Sequence, residues 1–384
     1  MDRVGHVVRI RSLAAAQQVL RERRRTRQAG FTAEYVPQGV LRHHPILFSD
    51  GPLHDEQRRK VARFFAPTVV ADRHTGVMQE VAERLLCHAG RAGGCDLAEL
   101  ALLYSVSVSA EVIGLTASPV AAMARRLVTF FNQPPFDITK PDLGRTRGQW
   151  AMAAVRGLLP VARFYLRDVR PAIRDHRQRP RDDVISHLIT EEYTNADIAI
   201  ECVTFGTAGM VTTREYICMA AWHLLDDARL RTTYLTAEQP GRLAILREVI
   251  RLEPVVGHLY RRVTEPFGVH DGEETLALEP GDLVDICVRD TNADPVAVGE
   301  DPLGLRPGRV LEAGIDGAGL AFGDGAHKCP GQPLALLEAD ALLVRLLALD
   351  PVVTAEPTVG WDDLVAGYTL RGFTVRFPSG EGVV

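Results

Sequence analysis

The sequence changes character at about Pro254, and this change constrains the fold more than any other feature. From about residue 14 to Pro254, apolar residues recur at helical spacing, interrupted by loops that contain proline and glycine. After Pro254 come short β-branched runs at 265–272 and 281–288, an apolar helix at 332–349 and a strand-like tail at 373–377. The pattern predicts a mainly α-helical protein with small β-sheets. No repeat or long linker interrupts it, which predicts a single domain over residues 1–384.

Composition excludes several classes of protein. The net charge is −5, from 44 basic and 49 acidic residues, which argues against general nucleic-acid binding. No apolar run approaches the roughly 18 residues of a membrane-spanning helix, and the N-terminus lacks the apolar core of a signal peptide, so we expect a cytoplasmic protein without a membrane anchor. Five of the six cysteines are expected to be buried thiols, because no spacing indicates a zinc site or a disulfide framework.

The sixth cysteine, Cys329, lies in a glycine-rich segment directly before the apolar helix. Residues 322–331 read Phe-Gly-Asp-Gly-Ala-His-Lys-Cys-Pro-Gly. Glycines let a backbone approach a flat ligand closely, and the dipole and free N–H groups of a helix N-terminus favour a thiolate. Pro330 suits the first helical position. For a lone cysteine, a glycine-rich turn with a buried thiol is the alternative.

The spacing Phe-Gly-x-Gly-x-His-x-Cys-x-Gly resembles the haem-binding signature of the cytochrome P-450 family. The resemblance implies the fold of that family, with haem b between a long central helix (about 195–226) and the Cys329 loop. It makes Cys329 the axial thiolate on the haem iron, where it donates electron density that favours O–O cleavage. It also makes His327 a partner of a haem propionate, and it brings Phe322, Gly323 and Gly331 into contact with the cofactor.

Further motifs agree with this resemblance. Glu248 and Arg251 share a helix face and are similar to the structural Glu-x-x-Arg pair of the family. Where a third arginine is expected the chain has Gly304, so either Arg306 or Arg309 would complete the network.

Two more segments resemble the parts of the family that hold the propionates. His54 and Arg58, four residues apart, are similar to its His-x-x-x-Arg motif, although a charged exposed helix is the alternative. Arg261 looks like a further propionate arginine, with adjacent Arg262 as the alternative. Buried carboxylates need such partners, because an unpaired buried charge is costly.

The predicted central helix begins at Asn195 as its N-cap and contains glycines at 206 and 209. Each glycine costs about 1 kcal/mol in a helix, so we expect Ala208 and Gly209 to lie against a flat macrocycle. Thr212 is placed to bond back to the carbonyl of Ala208. The stretch resembles the family's Ala-Gly-x-(Asp/Glu)-Thr, in which the acid and the alcohol deliver protons, and this makes Thr212 a catalytic residue.

Val211 stands where the family has the acid, and Glu215, one turn later, is a poorly oriented substitute. Water or substrate would then supply protons for ordinary hydroxylation. The other hypothesis is unusual chemistry, such as radical coupling or ring formation.

The chain carries no Rossmann or P-loop signature, so electrons must come from another protein. Family analogy implies a ferredoxin and its NAD(P)H-ferredoxin reductase. A basic set would face the donor: Arg58, Arg59, Lys60, Arg63 and Lys328. The resemblance starts at about His6, so we expect a short N-terminus that remodels the substrate channel.

For the substrate pocket the positions predict Phe131, Phe205, Val256 and His258. The pocket would be bordered by the segments 31–41, 130–136 and 255–259 and by the helix face at Phe205 and Ala208. The favoured function is a haem-thiolate monooxygenase that oxidises a small, largely apolar molecule, by family analogy in secondary metabolism. A haem protein of this fold that only binds a ligand, or performs non-oxygenating coupling, is the alternative. A hydrolase that uses Cys329 and His327 is disfavoured, because residues two apart in a turn point apart and no third residue orients them.

Overall fold

The structure is a computed structural model that describes residues 1–30 and 45–378. The predicted pocket segment 31–41 lies outside the described residues. The α-helices are α1 (Leu13–Arg21), α2 (Gly51–Ala62), α3 (Pro67–Val69), α4 (Thr75–Arg91), α5 (Leu97–Ile113), α6 (Val120–Val128), α7 (Arg147–Phe164), α8 (Arg170–Gln178), α9 (Val184–Thr190), α10 (Asn195–Phe205), α11 (Thr212–Asp226), α12 (Ala228–Thr236), α13 (Gln239–Leu252), α14 (Val288–Asn292), α15 (Pro295–Val298) and α16 (Gln332–Ala348).

The strands form small sheets, as predicted. They are β1 (Asp2–Val4), β2 (Val7–Ile10), β3 (Thr26–Ala29), β4 (Gly94–Asp96), β5 (His258–Val263), β6 (Phe267–Asp271), β7 (Glu274–Leu278), β8 (Leu283–Cys287), β9 (Val352–Ala355), β10 (Thr358–Asp362), β11 (Gly367–Arg371) and β12 (Thr374–Arg376). The largest sheet has the order β1-β2-β8-β5-β3, in which β2 and β8 are parallel. The smaller sheets pair β4-β12-β9, β10-β11 and β6-β7.

The helical core is built around α5, which is apolar on nearly every side and therefore packs inside the protein. Helices α4, α6 and α11 contact it, and α16 packs against α4, α11 and α13. Two buried hydroxyl groups in this core are paired: Tyr104 donates to the carbonyl of Glu338 at 3.0 Å, and Ser105 donates to the carbonyl of Met210 at 2.6 Å. The second hydrogen bond joins α5 to the central helix.

The predicted helix over 195–226 runs through α10, a π-helical turn at Gly206–Val211 and α11. The predicted N-cap was wrong by one residue. Thr194 is the cap, since its hydroxyl accepts from the N–H of Asp197 while the Asp197 side chain accepts from the Thr194 N–H. The first helix ends at Arg21, because the Glu22 carboxylate accepts the N–H groups of Arg24 and Arg25 and turns the chain.

The alternation of side chains along β5 determines which residues approach the Cys329 loop. Arg261 is almost fully buried, while His258 and Tyr260 lie together on the opposite face with their rings stacked at 5.9 Å. Helix α1 packs beside the same sheet and contacts the short 3-10 turn Gly325–His327 of the Cys329 loop. None of the helices in the described part of the chain combines the length and the apolar character needed to cross a bilayer.

Candidate active site

The Cys329 loop is fixed by close backbone contacts. The N–H of Cys329 donates to the carbonyl of Phe322 at 2.8 Å. Gly323 and Gly325 have φ angles of +69° and +67°, the left-handed region that favours glycine. A Cβ on Gly325 would lie 2.1 Å from the carbonyl oxygen of Leu20. This glycine is therefore needed where the loop meets the end of α1, and not for an approach to a ligand.

The Cys329 side chain is accessible, and it lies just before α16. Its surroundings are nevertheless dense enough that desolvation raises the pKa of the thiol. The backbone N–H groups of Gly331 and Gln332 and the charge of Arg58 act in the opposite direction. These N–H groups and the guanidinium stabilise the negative charge of a thiolate, and the accessible sulfur can bind a metal cation.

The middle of the central helix has an unusually open surface. Ala208 is exposed in an otherwise mostly buried helix, and a Cβ on Gly209 would meet nothing within 4 Å. The hydroxyl of Thr212 donates to the carbonyl of Ala208 at 2.5 Å, as predicted. Gly206 has a different role, because a Cβ there would lie 2.8 Å from a methyl of Leu127 on α6. Only Gly209 thus leaves room for a flat ligand.

Histidines converge beside the loop. The rings of His54 and His327 lie 4.2 Å apart, and Nε2 of His327 lies 3.1 Å from Oδ1 of Asp50. Burial and the charge of His327 lower the pKa of His54 to about 4, so His54 is neutral at pH 7. Asp50 directly precedes α2 but caps no N–H of that helix, and its carboxylate accepts the N–H of Gln28 at 3.2 Å. Sequence analysis missed Asp50, since an Asp before Gly-Pro has the ordinary pattern of a helix start.

Two arginines complete this cluster. Arg58 donates to the carbonyl of Lys328 at 2.6 Å, and Arg261, 4% exposed, donates to the carbonyl of Tyr260 at 2.8 Å. Burial lowers the pKa of both, in Arg261 to about 10. Within residues 1–30 and 45–378 neither guanidinium forms an ion pair with a carboxylate. Arg58 is half-buried, and the charge of Asp50 acts on Arg261 without forming a salt bridge with it. Cations that lack a direct carboxylate partner fit a cofactor that carries its own carboxylates, so these residues fit a haem with two propionates.

The choice between Arg261 and Arg262 follows from the strand. Adjacent residues of β5 point to opposite faces, and Arg261 is the buried one. Arg262 is half-buried and donates to the carbonyl of Gly281. Arg261 is therefore the arginine that belongs to this cluster.

The Glu248–Arg251 pair is buried and bidentate, with distances of 2.6 and 2.8 Å. Arg309 is the third member, at 3.3 Å from the Glu248 carboxylate, and it also donates to the carbonyl groups of four loop residues. Arg306 contributes only its backbone N–H to Glu248, while its side chain pairs with Asp301 at the surface. The Glu248–Arg251–Arg309 network thus joins α13 to the chain segment that precedes the Cys329 loop.

The structure resolves the role of Glu215. Its carboxylate is buried and accepts from Arg214, from Arg371 and from the N–H of Leu370, at 2.6 to 3.0 Å. A carboxylate held by two guanidinium groups is not a mobile proton donor. Val211 itself is 5% exposed, so neither position supplies an acid beside Thr212.

The predicted pocket residues are not all together. Phe205 is half-buried on α10 and stacks on Phe65 with ring centroids 5.8 Å apart. Phe131 ends the 3-10 turn Thr129–Phe131, and Val256 is half-buried in the turn before β5. His258 lies on the face of β5 opposite Arg261, with Nδ1 2.6 Å from Oδ1 of Asp285.

Comparisons with known proteins agree with the motifs. The Cytochrome P450 family model matches residues 243–349. "Cytochrome P450(MEG)" of Priestia megaterium is 26% identical over 86% of this chain and 78% of its own. "Erythromycin C-12 hydroxylase" of Saccharopolyspora erythraea is 28% identical over 78% of this chain and 71% of its own.

The fold leads to the same family. The crystal structure of CalO2 superposes with a TM-score of 0.79 and 21% identity, over 98% of this chain and 92% of that one. The mainly helical architecture with small sheets is thus the cytochrome P450 fold. Through its motifs, its architecture and these relatives, the chain belongs to the cytochrome P450 family, the haem-dependent monooxygenases.

Proposed function

We propose that the protein is a haem-thiolate monooxygenase in which Cys329 is the axial ligand of a haem b. The observation that carries the proposal is the accessible Cys329 residue beside Arg58, with the buried Arg261 near Asp50. Among the described residues neither guanidinium forms a salt bridge with a carboxylate. The haem, when bound, supplies the reductive activation of dioxygen. The remaining contributions come from side chains and backbone groups of the chain.

The residues that would hold the cofactor divide into two groups. Arg58, Arg261, His54 and His327 would pair with its propionates, and burial makes each such pair stronger than it is in water. Ala208 and Gly209 leave room for the ring, and Phe322, Gly323 and Gly331 form the loop around Cys329. The Asp50 carboxylate contacts Nε2 of His327 and so fixes the orientation of the His327 ring.

Thr212 is the proposed proton-handling group. Its hydroxyl hydrogen is directed at the Ala208 carbonyl, which leaves the oxygen lone pairs able to accept a hydrogen bond from water or substrate. Because Val211 is apolar and Glu215 is held by arginines, protons reach Thr212 from water or from an acidic group on the substrate.

The substrate is proposed to be a small, largely apolar organic molecule. Phe131, Phe205 and Val256 offer apolar surface, and the similarity to an erythromycin hydroxylase favours a role in secondary metabolism. Electrons are proposed to come from a ferredoxin reduced by its NAD(P)H-ferredoxin reductase. The exposed arginines of the α2 region, Arg59 and Arg63, supply positive charge for an acidic donor.

A second candidate is oxidation without oxygen insertion, such as coupling or ring formation. The absence of an acid at Val211 and the fixed pairing of Glu215 favour it, since both lower the supply of protons for O–O cleavage.

Labelled dioxygen separates the two candidates. The haem-loaded protein is supplied with ferredoxin, reductase and NADPH and incubated with macrolide, steroid and long-chain acid probes. We expect products that carry one labelled oxygen atom. Products that lose two hydrogens and gain no label would instead support the second candidate.

A further inference from the structure

A group of potential metal ligands lies where two inner strands of the large sheet, β5 and β8, begin and end. His258 on β5 and Cys287 on β8 are direct cross-strand partners, and Asp285 lies two residues before Cys287 on the same face. One ligand atom from each residue, the imidazole nitrogen, the carboxylate oxygen and the sulfur, lies within 4.8 Å of the other two. The arrangement comes from strand register and does not depend on a flexible loop.

These distances exclude a nucleophile–histidine–acid relay. In such a relay the histidine uses its two ring nitrogens for different partners, so the sulfur and the carboxylate lie on opposite sides of the ring. Here Asp285 contacts Nδ1 of His258 at 2.6 Å, and the sulfur lies within 4.8 Å of the same carboxylate. The imidazole nitrogen, the carboxylate oxygen and the sulfur are therefore close enough together to bind a single ion.

We propose that His258, Asp285 and Cys287 bind a divalent transition-metal ion, with zinc as the best-matched ion. Thiolate, imidazole and carboxylate are the ligands that zinc uses in proteins, and three protein ligands leave the fourth tetrahedral position open. His258 and Cys287 line a cavity of about 880 Å³. The open position can thus take water or an exogenous ligand from this cavity.

The cavity carries a surplus of negative charge. Four carboxylate residues line it together with one arginine: Asp226, Glu253, Asp290, Glu356 and Arg289. Glu253 pairs with Arg289 and Asp290 pairs with Arg11, so the surplus comes from Asp226 and Glu356. Asp285 is 3% exposed, and its Oδ2 lies 3.6 Å from Nε of Arg9, so that its Oδ1 faces His258. Hydrogen bonds from the His258 ring to Asp285 and Cys287 raise the pKa of His258 to about 10, so the metal must displace a proton from the imidazole.

The metal site is separate from the haem proposal. His258 and Arg261 lie on opposite faces of β5, and none of the three ligands belongs to the cluster around Cys329. Haem content and zinc content can be measured in the same samples, so either proposal can fail without the other.

The experiment is a zinc titration of the haem-loaded protein against a chromophoric chelator, followed by dialysis and elemental analysis. We expect one zinc ion per chain. Cys287→Ser and His258→Gln should each weaken zinc affinity by at least about 100-fold. Loss of a residue that only hydrogen-bonds a metal ligand already lowers affinity about 10- to 100-fold, and each of these substitutions removes a ligand itself. Cys87→Ser, which alters an exposed cysteine elsewhere on α4, should bind zinc like the unaltered protein.

X-ray absorption at the zinc edge tests the ligand set directly. We expect one sulfur at about 2.3 Å and nitrogen or oxygen ligands at about 2.0–2.2 Å. Zinc binding that is unchanged in Cys287→Ser and His258→Gln, zinc binding weaker than that of the chelator in the unaltered protein, or an absorption spectrum without a sulfur ligand would each overturn the proposal.

Discussion

At the scale of single residues, the active site is defined by charges that the chain itself does not balance. Arg58 and Arg261 donate only to backbone carbonyls among the described residues, and Asp50 is the carboxylate that contacts His327. By contrast, Glu248 and Glu215 are fully engaged by arginines. These two carboxylates are thus paired within the protein, while the cations of the proposed haem site are available to a cofactor.

Thr212 provides a test of the proton path. Thr212→Val keeps the size of the side chain but removes the hydroxyl, so NADPH consumption should continue while product per NADPH falls by about tenfold or more. Val211→Asp should change this ratio no more than its isosteric control, Val211→Asn, because water and not an acid supplies the protons. The ratio of product to NADPH consumed is the measurement. An unchanged ratio in Thr212→Val would remove Thr212 from the mechanism.

Arg309 should matter for stability more than Arg306. Loss of Arg309 leaves the buried Glu248 with one partner fewer, so Arg309→Leu should lower the free energy of unfolding by about 1–3 kcal/mol. Arg306→Leu, which alters a surface ion pair, should stay within about 0.5 kcal/mol. Thermal unfolding monitored by circular dichroism gives both values. Equal effects of the two substitutions would contradict the assignment of Arg309.

The same network predicts a dependence on pH. Burial alone would raise the pKa of Glu248, but hydrogen bonds from Arg251 and from the N–H of Arg306 outweigh it and lower the pKa. A carboxylate with a lowered pKa stabilises the fold above its unfolded pKa, near 4.3, and this contribution is lost as pH falls through the folded value. The difference between Arg309→Leu and the unaltered protein should therefore shrink below about pH 4. A constant difference in melting temperature would argue against this.

At the scale of elements, the π-helical turn Gly206–Val211 connects the two halves of the central helix. Its glycines have different roles, since Gly206 is packed against Leu127 and Gly209 borders open space. The Thr212 hydroxyl bonds to the carbonyl of Ala208 within this region and leaves Ala208 exposed. This turn thus places the small residues Ala208 and Gly209 about one helical turn before Thr212, the proposed proton-handling group.

Gly209→Leu should separate haem binding from folding. A Cβ there would meet no neighbour within 4 Å, and leucine has the higher helix propensity, so the fold should be retained. The leucine would fill the space assigned to the ring, so the haem per chain should fall below about half of the unaltered value. Gly157→Leu, at another open glycine on α7, is the control. Full haem content in Gly209→Leu would place the cofactor elsewhere.

Much of this could be predicted from the sequence, because fixed spacing on one element carries contact information. Glu248 and Arg251 are three residues apart on α13, and Thr212 and Ala208 are four apart, so helical geometry alone brings each pair together. The sequence left two candidates, Arg306 and Arg309, for the loop residue that pairs with Glu248. Loops do not have the fixed spacing of a helix, so only the structure identifies Arg309. The position of His258 depends on which face of β5 packs inward, which is a tertiary property.

At the scale of the whole molecule, positive charge gathers near the Cys329 loop although the chain as a whole carries −5. Helix α2 is tied to the loop by the Arg58–Lys328 hydrogen bond. In this region Lys60 pairs with Glu56 and Glu191, and Lys328 pairs with Asp316, whereas Arg59 and Arg63 are exposed. These two arginines are therefore the better candidates for docking an acidic donor.

Electron transfer tests this surface. Arg59→Gln combined with Arg63→Gln should slow reduction by ferredoxin several-fold at low salt, and the difference should shrink as salt screens the charges. Arg84→Gln combined with Arg91→Gln on α4 is the matched control for net charge. Stopped-flow absorbance under carbon monoxide gives the rate. Equal rates in both double variants would place the donor on another face.

The central claim, that Cys329 ligates the haem iron, is tested most directly by the carbon monoxide difference spectrum of the reduced, haem-loaded protein. A thiolate donates electron density to the iron, so we predict a strongly red-shifted Soret band. Cys87→Ser should keep this band, and Cys329→His should lose it while still binding haem. An unshifted Soret band in protein that contains one haem per chain would contradict the assignment of Cys329 and the monooxygenase mechanism built on it.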